Sequence, residues 1–179
     1  PELIQQADLR GDLHCHTSST DGRDSLKTMA KAARALGYRY LAISDHSQHL
    51  KVANGLDVNR LSRQLAAIDR LNDKLGRFRL LKSAEVDILE DGSLDLPDEI
   101  LGKLDLVVCA VHFGFGLSRK RQTERIIRAM DNRYMNILAH PSGRLLGRRE
   151  AYALDMERLM EAALERVCFL EVNAQPDRL

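Results

Sequence analysis

Five of the six histidines in this 179-residue chain stand where an apolar run ends. Leu13-His14-Cys15-His16 carries two imidazoles at i and i+2, a spacing that puts both on one face of a strand and lets them reach one ion. Leu41-Ala-Ile-Ser-Asp-His46, Val107-Val-Cys-Ala-Val-His112 and Ile137-Leu-Ala-His140 repeat the arrangement. Leu81-Lys-Ser-Ala-Glu85-Val-Asp87 adds carboxylates at i and i+2, able to bridge two cations or to hold a histidine in one tautomer. A single histidine ending a buried strand is ordinarily a hydrogen-bonded core residue. Four strand ends with uncompensated buried imidazoles would be costly, whereas metal ligation accounts for them together. Imidazole and carboxylate donors suit a polynuclear site for zinc, manganese or iron.

Other residues admit two readings. Asp21, in Thr17-Ser-Ser-Thr-Asp21-Gly22, is equally a turn residue and a ligand. Asp45 and Asp87 are either partners of a ligand imidazole or solvated strand-end carboxylates. His49 has no strand before it and is expected in a surface loop. Cys15 and Cys109 fall out of phase with His16 and His112, so they should face away and pack in the core. With Cys168 they make three widely spaced thiols and no CxxC pair, which argues against a disulfide framework and a thiolate zinc site. There is no Gly-x-Ser-x-Gly elbow and no base obviously paired with Cys15, so the expected nucleophile is water activated by cations. Arg119, Lys120 and Arg121 follow His112, and Arg144, Arg148 and Arg149 follow His140. Both groups are expected on loops of the same face, with Lys51, as contacts for substrate phosphate. The alternative is a solvated charged surface.

These residues need strands to carry them. Strands are expected over Asp12–His16, Tyr40–Ser44, Leu80–Ile88, Leu106–His112, Asn136–His140 and Val167–Val172. Between them lie segments of helical period: Ser25–Leu36 and Asp57–Leu75, each stopped by a glycine, then Thr123–Met130 and Asp155–Arg166. Asp24 or Ser25 can cap the first helix, and Leu96-Pro97-Asp-Glu suits a further first turn. Strands separated by helices imply right-handed βαβ units and a parallel sheet, either open and doubly wound or closed as a barrel. In both, sites lie at the carboxyl ends of the strands.

Composition bounds the rest. With 44% hydrophobic residues the chain can bury one sizeable core, and no linker or low-complexity stretch divides it. Lys and Arg number 27 against 26 Asp and Glu, so no global basic field demands a nucleic-acid partner and any polyanion must be met locally. No apolar run approaches the ~18 residues of a membrane span, and the N-terminus lacks a signal-peptide pattern. A cytoplasmic protein without membrane partners is expected.

Over essentially its whole length the chain resembles the PHP (polymerase and histidinol phosphatase) domains. His14-x-His16, Asp21-Gly22, Ser44-Asp45-His46, Ala84-Glu85-Val86-Asp87, Val111-His112 and Ala139-His140-Pro141 occur in the family's order. Val52-Ala-Asn-Gly55, Asp91-Gly-Ser-Leu, Gln122-Thr-Glu-Arg125, His140-Pro-Ser-Gly-Arg144 and Asn173-Ala-Gln-Pro-Asp-Arg-Leu179 are similar to the PHP domain at the C-terminus of bacterial and archaeal family X DNA polymerases. The resemblance implies an α/β fold, a distorted seven-stranded barrel of which about six strands are present, and three divalent ions, Mn2+ or Zn2+. One ion would be held by His14, His16 and Glu85, a second by Glu85, His112 and His140, and a third by His46 and Asp21. Glu85, His112 and His140 would carry catalysis. The family's final Asp-x-His would follow Asp177-Arg-Leu179, so a domain cut short before it is expected, spanning 1–179 with an interdomain linker over residues 1–10. Only the second ion would then keep a full protein ligand set.

The implied activity is metal-dependent 3'-5' exonuclease or other DNA-end processing, with a DNA 3' end as substrate and the polymerase core of the same parent chain as partner. Two alternatives stand beside it: a small-molecule phosphatase of the histidinol phosphatase type, and a non-catalytic module supporting a polymerase. Only 4% of residues are aromatic and none is Trp, which offers little surface for base stacking.

Overall fold

The computed structural model describes residues 3–178, so the first two positions of the expected linker and Leu179 lie outside it. Six strands run parallel in one sheet in sequence order: β1 (Gly11–Asp12), β2 (Tyr40–Ile43), β3 (Arg79–Asp87), β4 (Leu106–Ala110), β5 (Ile137–Leu138) and β6 (Phe169–Leu170). A doubly wound sheet reverses its strand order at a switch point. This one does not; it curls into a half-barrel, with helices on its outer side and β1 and β6 at its two ends. The helices are α1 (Leu26–Ala35), α2 (Val58–Asn72), α3 (Asp98–Leu101), α4 (Arg119–Met130) and α5 (Met156–Glu165).

Each long helix begins at a side chain that accepts from an otherwise unpaired N–H of its first turn. Ser25 caps α1, Asp57 caps α2, Ser118 caps α4 and Asp155 caps α5. Because the Ser118 cap lies upstream of Thr123, α4 starts four residues earlier than its apolar pattern suggests. Among the described residues no helix is long and apolar enough to cross a membrane.

The alternation of strand side chains sorts core from site. On β4 and the residue after it, Val107, Cys109 and Val111 pack outward with α2, α4 and α5, while Val108 and Ala110 join Ala139 on the concave side. On β3, Leu80, Ala84, Val86 and Ile88 pack outward, leaving Ser83, Glu85 and Asp87 on the inner face, all buried. A second outer cluster joins Ala30 and Ala33 of α1 to Leu41, Ile43, Ile68 and Leu80. Every strand but β3 is shorter than expected: His14 and His16 lie beyond β1, Ser44 beyond β2, His112 beyond β4, His140 beyond β5, and Glu171 beyond β6. The i, i+2 argument for His14 and His16 therefore fails in its premise, since the ladder stops at Asp12 and Leu41.

Candidate metal centre

Glu85 is the centre of the concave face. Its carboxylate is 1% exposed, and five imidazoles converge on it. His140 Nε2 lies 2.8 Å from Oε1, with His14 Nε2 at 3.4 Å and His112 Nε2 at 3.5 Å. On Oε2, His46 Nδ1 lies at 2.9 Å and His16 Nε2 at 3.5 Å. His46 is placed there by an isolated parallel bridge to Glu85 that prolongs the β2–β3 pairing. His112 continues the inner phase of Val108 and Ala110. His140 does not continue its strand's alternation: Leu138 faces the outer core and Ala139 the inner side, and a left-handed φ of 29° at His140 turns its ring into the cavity. A non-glycine residue there costs about 1–3 kcal/mol, a strain typical of functional positions.

Carboxylates behind the ring of imidazoles fix their orientation. Asp87 Oδ1 lies 2.5 Å from His112 Nδ1, and Glu171 Oε1 lies 2.7 Å from His14 Nδ1 while its Oε2 accepts from the His140 backbone N–H at 2.7 Å. Each carboxylate accepts an Nδ1 proton and so leaves Nε2 aimed at Glu85, the arrangement that prepares a histidine for a metal. Asp45, the other carboxylate of double reading, plays a different part. It is fully buried and accepts from Thr17 N–H and Oγ1, from Thr20 Oγ1 and from Gln64, which anchors the turn that presents Asp21. Gly22 closes that turn where a Cβ would meet the His16 carbonyl at 2.5 Å. Asp21 itself is 48% exposed and reaches His46 Nε2 at 3.3 Å.

The electrostatics show what the group lacks. Burial disfavours protonation of His14 and His112, yet the Glu171 and Glu85 carboxylates lift His14 to about 10, and Asp87 and Glu85 lift His112 to about 9. Burial wins at His16 and His140, which are held below the usual imidazole value. Burial opposes the Glu85 charge, but its histidine partners outweigh that and hold it well below the carboxylate range. Nδ1 of His16 is buried with no hydrogen-bond partner among the described residues, and Nδ1 of His46, although 2.9 Å from Glu85 Oε2, does not have the angles of a hydrogen bond to it. Orphaned lone pairs around one buried carboxylate fit divalent cations as the missing partner.

Two sets of ligand atoms lie within 4.8 Å of one another: His14, Glu85 and His140, and His16, His46 and Glu85. That partition differs from the one the resemblance implies. His14 and His16, with ring centroids 5.3 Å apart, face different oxygens of Glu85, the first on the side of Glu171 and His140 and the second stacked on His46 with ring centroids 4.4 Å apart. A cavity of about 490 Å³ is lined by all seven expected ligand residues, His14, His16, Asp21, His46, Glu85, His112 and His140. Cys15 also touches it, although its thiol packs beside β2 and donates to the Ala42 carbonyl at 3.1 Å. Cys109 and Cys168 are buried in the outer core.

The expected phosphate contacts separate. Arg119, Lys120 and Arg121 are not on a loop but in the first turn of α4, where Arg119 pairs with Asp155 at 3.4 Å and Lys120 with Glu124 at 4.0 Å. Lys51 is an exposed residue of a 3-10 turn (Lys51–Ala53). Arg149 lies over the Phe115 ring at 4.2 Å and donates to the Gly143 carbonyl; Arg148 is exposed on the same loop. None of these lines the cavity, and Arg144 lines only a neighbouring groove that shares His140 with it. The cation lining the cavity is Arg178, with Asn173 and Gln175 beside it. Its Nη1 is buried without a hydrogen-bond partner among the described residues. Sequence reasoning missed Arg178, which follows no apolar run, and Glu171, which ends the run Val167–Leu170 as the histidines end theirs and was therefore detectable.

Comparison with known proteins gives the same direction. The profile of the PHP domain matches residues 12–174. The DNA polymerase/3'-5' exonuclease PolX of Bacillus subtilis (strain 168) is 45% identical over 178 residues, 99% of this chain and 31% of that protein. A probable phosphatase of Thermoanaerobacter sp. (strain X514) is 32% identical over 167 residues, and one of Acetivibrio thermocellus is 31% identical over 167. Each covers 90% of this chain, which spans 63% and 64% of those two relatives.

Proposed function

The chain belongs to the PHP domain family, and on that footing we propose that it hydrolyses phosphate esters with divalent cations held around Glu85, its natural substrate being a DNA 3' end. The observation that carries this reading is the convergence of five imidazoles on one buried carboxylate. Bound Mn2+ or Zn2+ would supply Lewis-acid polarisation of a phosphoryl oxygen and acidify water.

The protein's own groups do the rest. Glu85 presents both oxygens to opposite halves of the imidazole ring system, so it is the group able to serve two cations at once. Asp87 and Glu171 hold the Nδ1 protons of His112 and His14, so that Nε2 is the nitrogen each would offer a cation on giving up its own proton. Arg178 offers a guanidinium to a phosphate oxygen in the same cavity. Asp21, exposed at the rim 3.3 Å from His46 Nε2, would join His46 in holding a cation.

A 3'-5' exonuclease of the kind named for the Bacillus relative is the finer reading, within a parent chain that also carries a polymerase core. The relatives named probable phosphatases favour the second reading, a small-molecule phosphatase. Assays with Mn2+ on 3'-recessed DNA and on histidinol phosphate separate them: release of nucleotides from the 3' end supports the first, turnover of the monoester alone the second. No turnover of either, with Mn2+ bound, leaves a non-catalytic module.

A further inference from the structure

Arg125 is a buried charge that the chemistry above leaves unused. It is 2% exposed in the middle of α4 and makes no ion pair with a carboxylate among the described residues. Its guanidinium is spent on three backbone carbonyls instead. Nε donates to the Leu89 carbonyl at 2.8 Å, Nη1 to the Phe113 carbonyl at 2.8 Å, and Nη2 to the Ile88 carbonyl. Burying a guanidinium is costly unless every donor finds a use, and a charged donor makes the stronger class of hydrogen bond.

The place of those carbonyls gives the arrangement its meaning. The β3–β4 ladder ends at Asp87 and Ala110, with a last backbone bond from Ile88 N–H to the Ala110 carbonyl. Beyond it the two chains separate, and the guanidinium takes over as the link between them. Ile88 directly follows Asp87, and Phe113 directly follows His112. The side chains one residue before the clamp are the pair that meets at 2.5 Å, and His112 Nε2 then faces Glu85 at 3.5 Å.

We propose that Arg125 is a positioning residue of the metal centre: by clamping the ends of β3 and β4 it sets the Asp87–His112 contact and so the direction of the His112 lone pair. This rests on the metal reading above. The planar fork reaches three acceptors at once; a lysine ammonium on a shorter, differently shaped head cannot hold all three in this geometry. Gly114 shows how closely the clamp is fitted, since a Cβ there would lie 3.1 Å from Arg125 Nη1 and 3.2 Å from Glu90 Oε1.

The test compares Arg125→Lys with Ile126→Val, a change at the neighbouring, fully buried residue of α4 that loosens the helix packing alone. Two readouts are taken on the whole chain: Mn2+ affinity by competition with a fluorescent chelator, and the far-downfield Nδ1–H proton resonance of His112 in metal-free protein. Arg125→Lys is expected to weaken Mn2+ binding about tenfold, as loss of a residue supporting a ligand does, and to shift the resonance upfield; Ile126→Val should change neither. Wild-type affinity and resonance in Arg125→Lys would overturn the assignment, as would an equal loss in Ile126→Val. If Arg125→Lys does not fold, Arg125→Met decides, because it fills similar volume with neither a buried charge nor any of the three donors: weaker Mn2+ binding supports the proposal and an unchanged site refutes it. Should the wild-type chain bind no Mn2+, the metal reading fails, and the resonance alone still judges the clamp.

Discussion

The two faces of β3 do opposite work with alternate residues of one segment. Leu80, Ala84, Val86 and Ile88 pack against helices, where apolar burial stabilises the fold. Ser83, Glu85 and Asp87 are equally buried on the other face and are polar. Burial alone therefore does not distinguish core from site. What differs along β3 is whether the buried group needs a partner: its outer side chains carry no polar atoms, while on its inner face Ser83 Oγ and Asp87 Oδ2 are buried without one among the described residues. Polar burial of that kind is tolerated where a bound ion completes it.

The sharpest way to break this contrast is Glu85→Gln. Removing the charge that both halves of the site share should abolish metal-dependent turnover and weaken Mn2+ binding more than about 100-fold. Equilibrium dialysis showing wild-type Mn2+ content in the variant would end the assignment.

Acidity acts on the inner face next. His14 and His112 rest near pKa values of about 10 and about 9 in the metal-free protein, above the ordinary 6.5, so they are protonated at neutral pH. Their contribution to the metal-free fold is complete below pH 6.5 and is lost as pH rises towards 9 and 10. A cation needs the same Nε2 atoms unprotonated, so its affinity should run the opposite way, rising about tenfold per pH unit for each proton released. Calorimetry in buffers of different ionisation enthalpy counts those protons; binding with none released would contradict the picture.

Leu80→Ala, on the outer face of the same strand, should cost about 3 kcal/mol of stability through the cavity it leaves. Chemical denaturation should report that loss while Mn2+ affinity of the folded protein stays at the wild-type level. A parallel loss of affinity would show that the two faces are coupled.

Smaller effects belong to the cations. Arg178→Ala is expected to raise KM for a phosphate ester about tenfold and flatten its salt dependence, with kcat little changed. Arg119→Ala removes an exposed pair with Asp155, so it should alter stability by less than about 0.5 kcal/mol and leave KM as it was. Equal kinetic effects of the two would remove the distinction drawn between the cavity and the first turn of α4.

Much of this was legible before the fold was known. The alternation of apolar runs and helical segments specified βαβ units, and the inner phase of Glu85 and His112 follows from counting twos along β3 and β4. Ligand types, too, are a property of the chain: imidazoles and carboxylates at the ends of apolar runs announce a cation site whatever the exact geometry. Strand order was not legible, because periodicity is the same in an open sheet and a curled one.

What the tertiary structure decided is who meets whom. The curl brings His14 to His140 and His16 to His46, a pairing that spacing along the chain cannot encode because it depends on distances through space. A single left-handed residue turned His140 inward against the alternation of its strand. Arg119, Lys120 and Arg121 follow His112 in sequence but sit on a capped helix, whereas Arg178, 38 residues beyond His140 by their numbers, enters the cavity. Local pattern determines which way a side chain leaves its own element; only the packing of elements determines what it finds there.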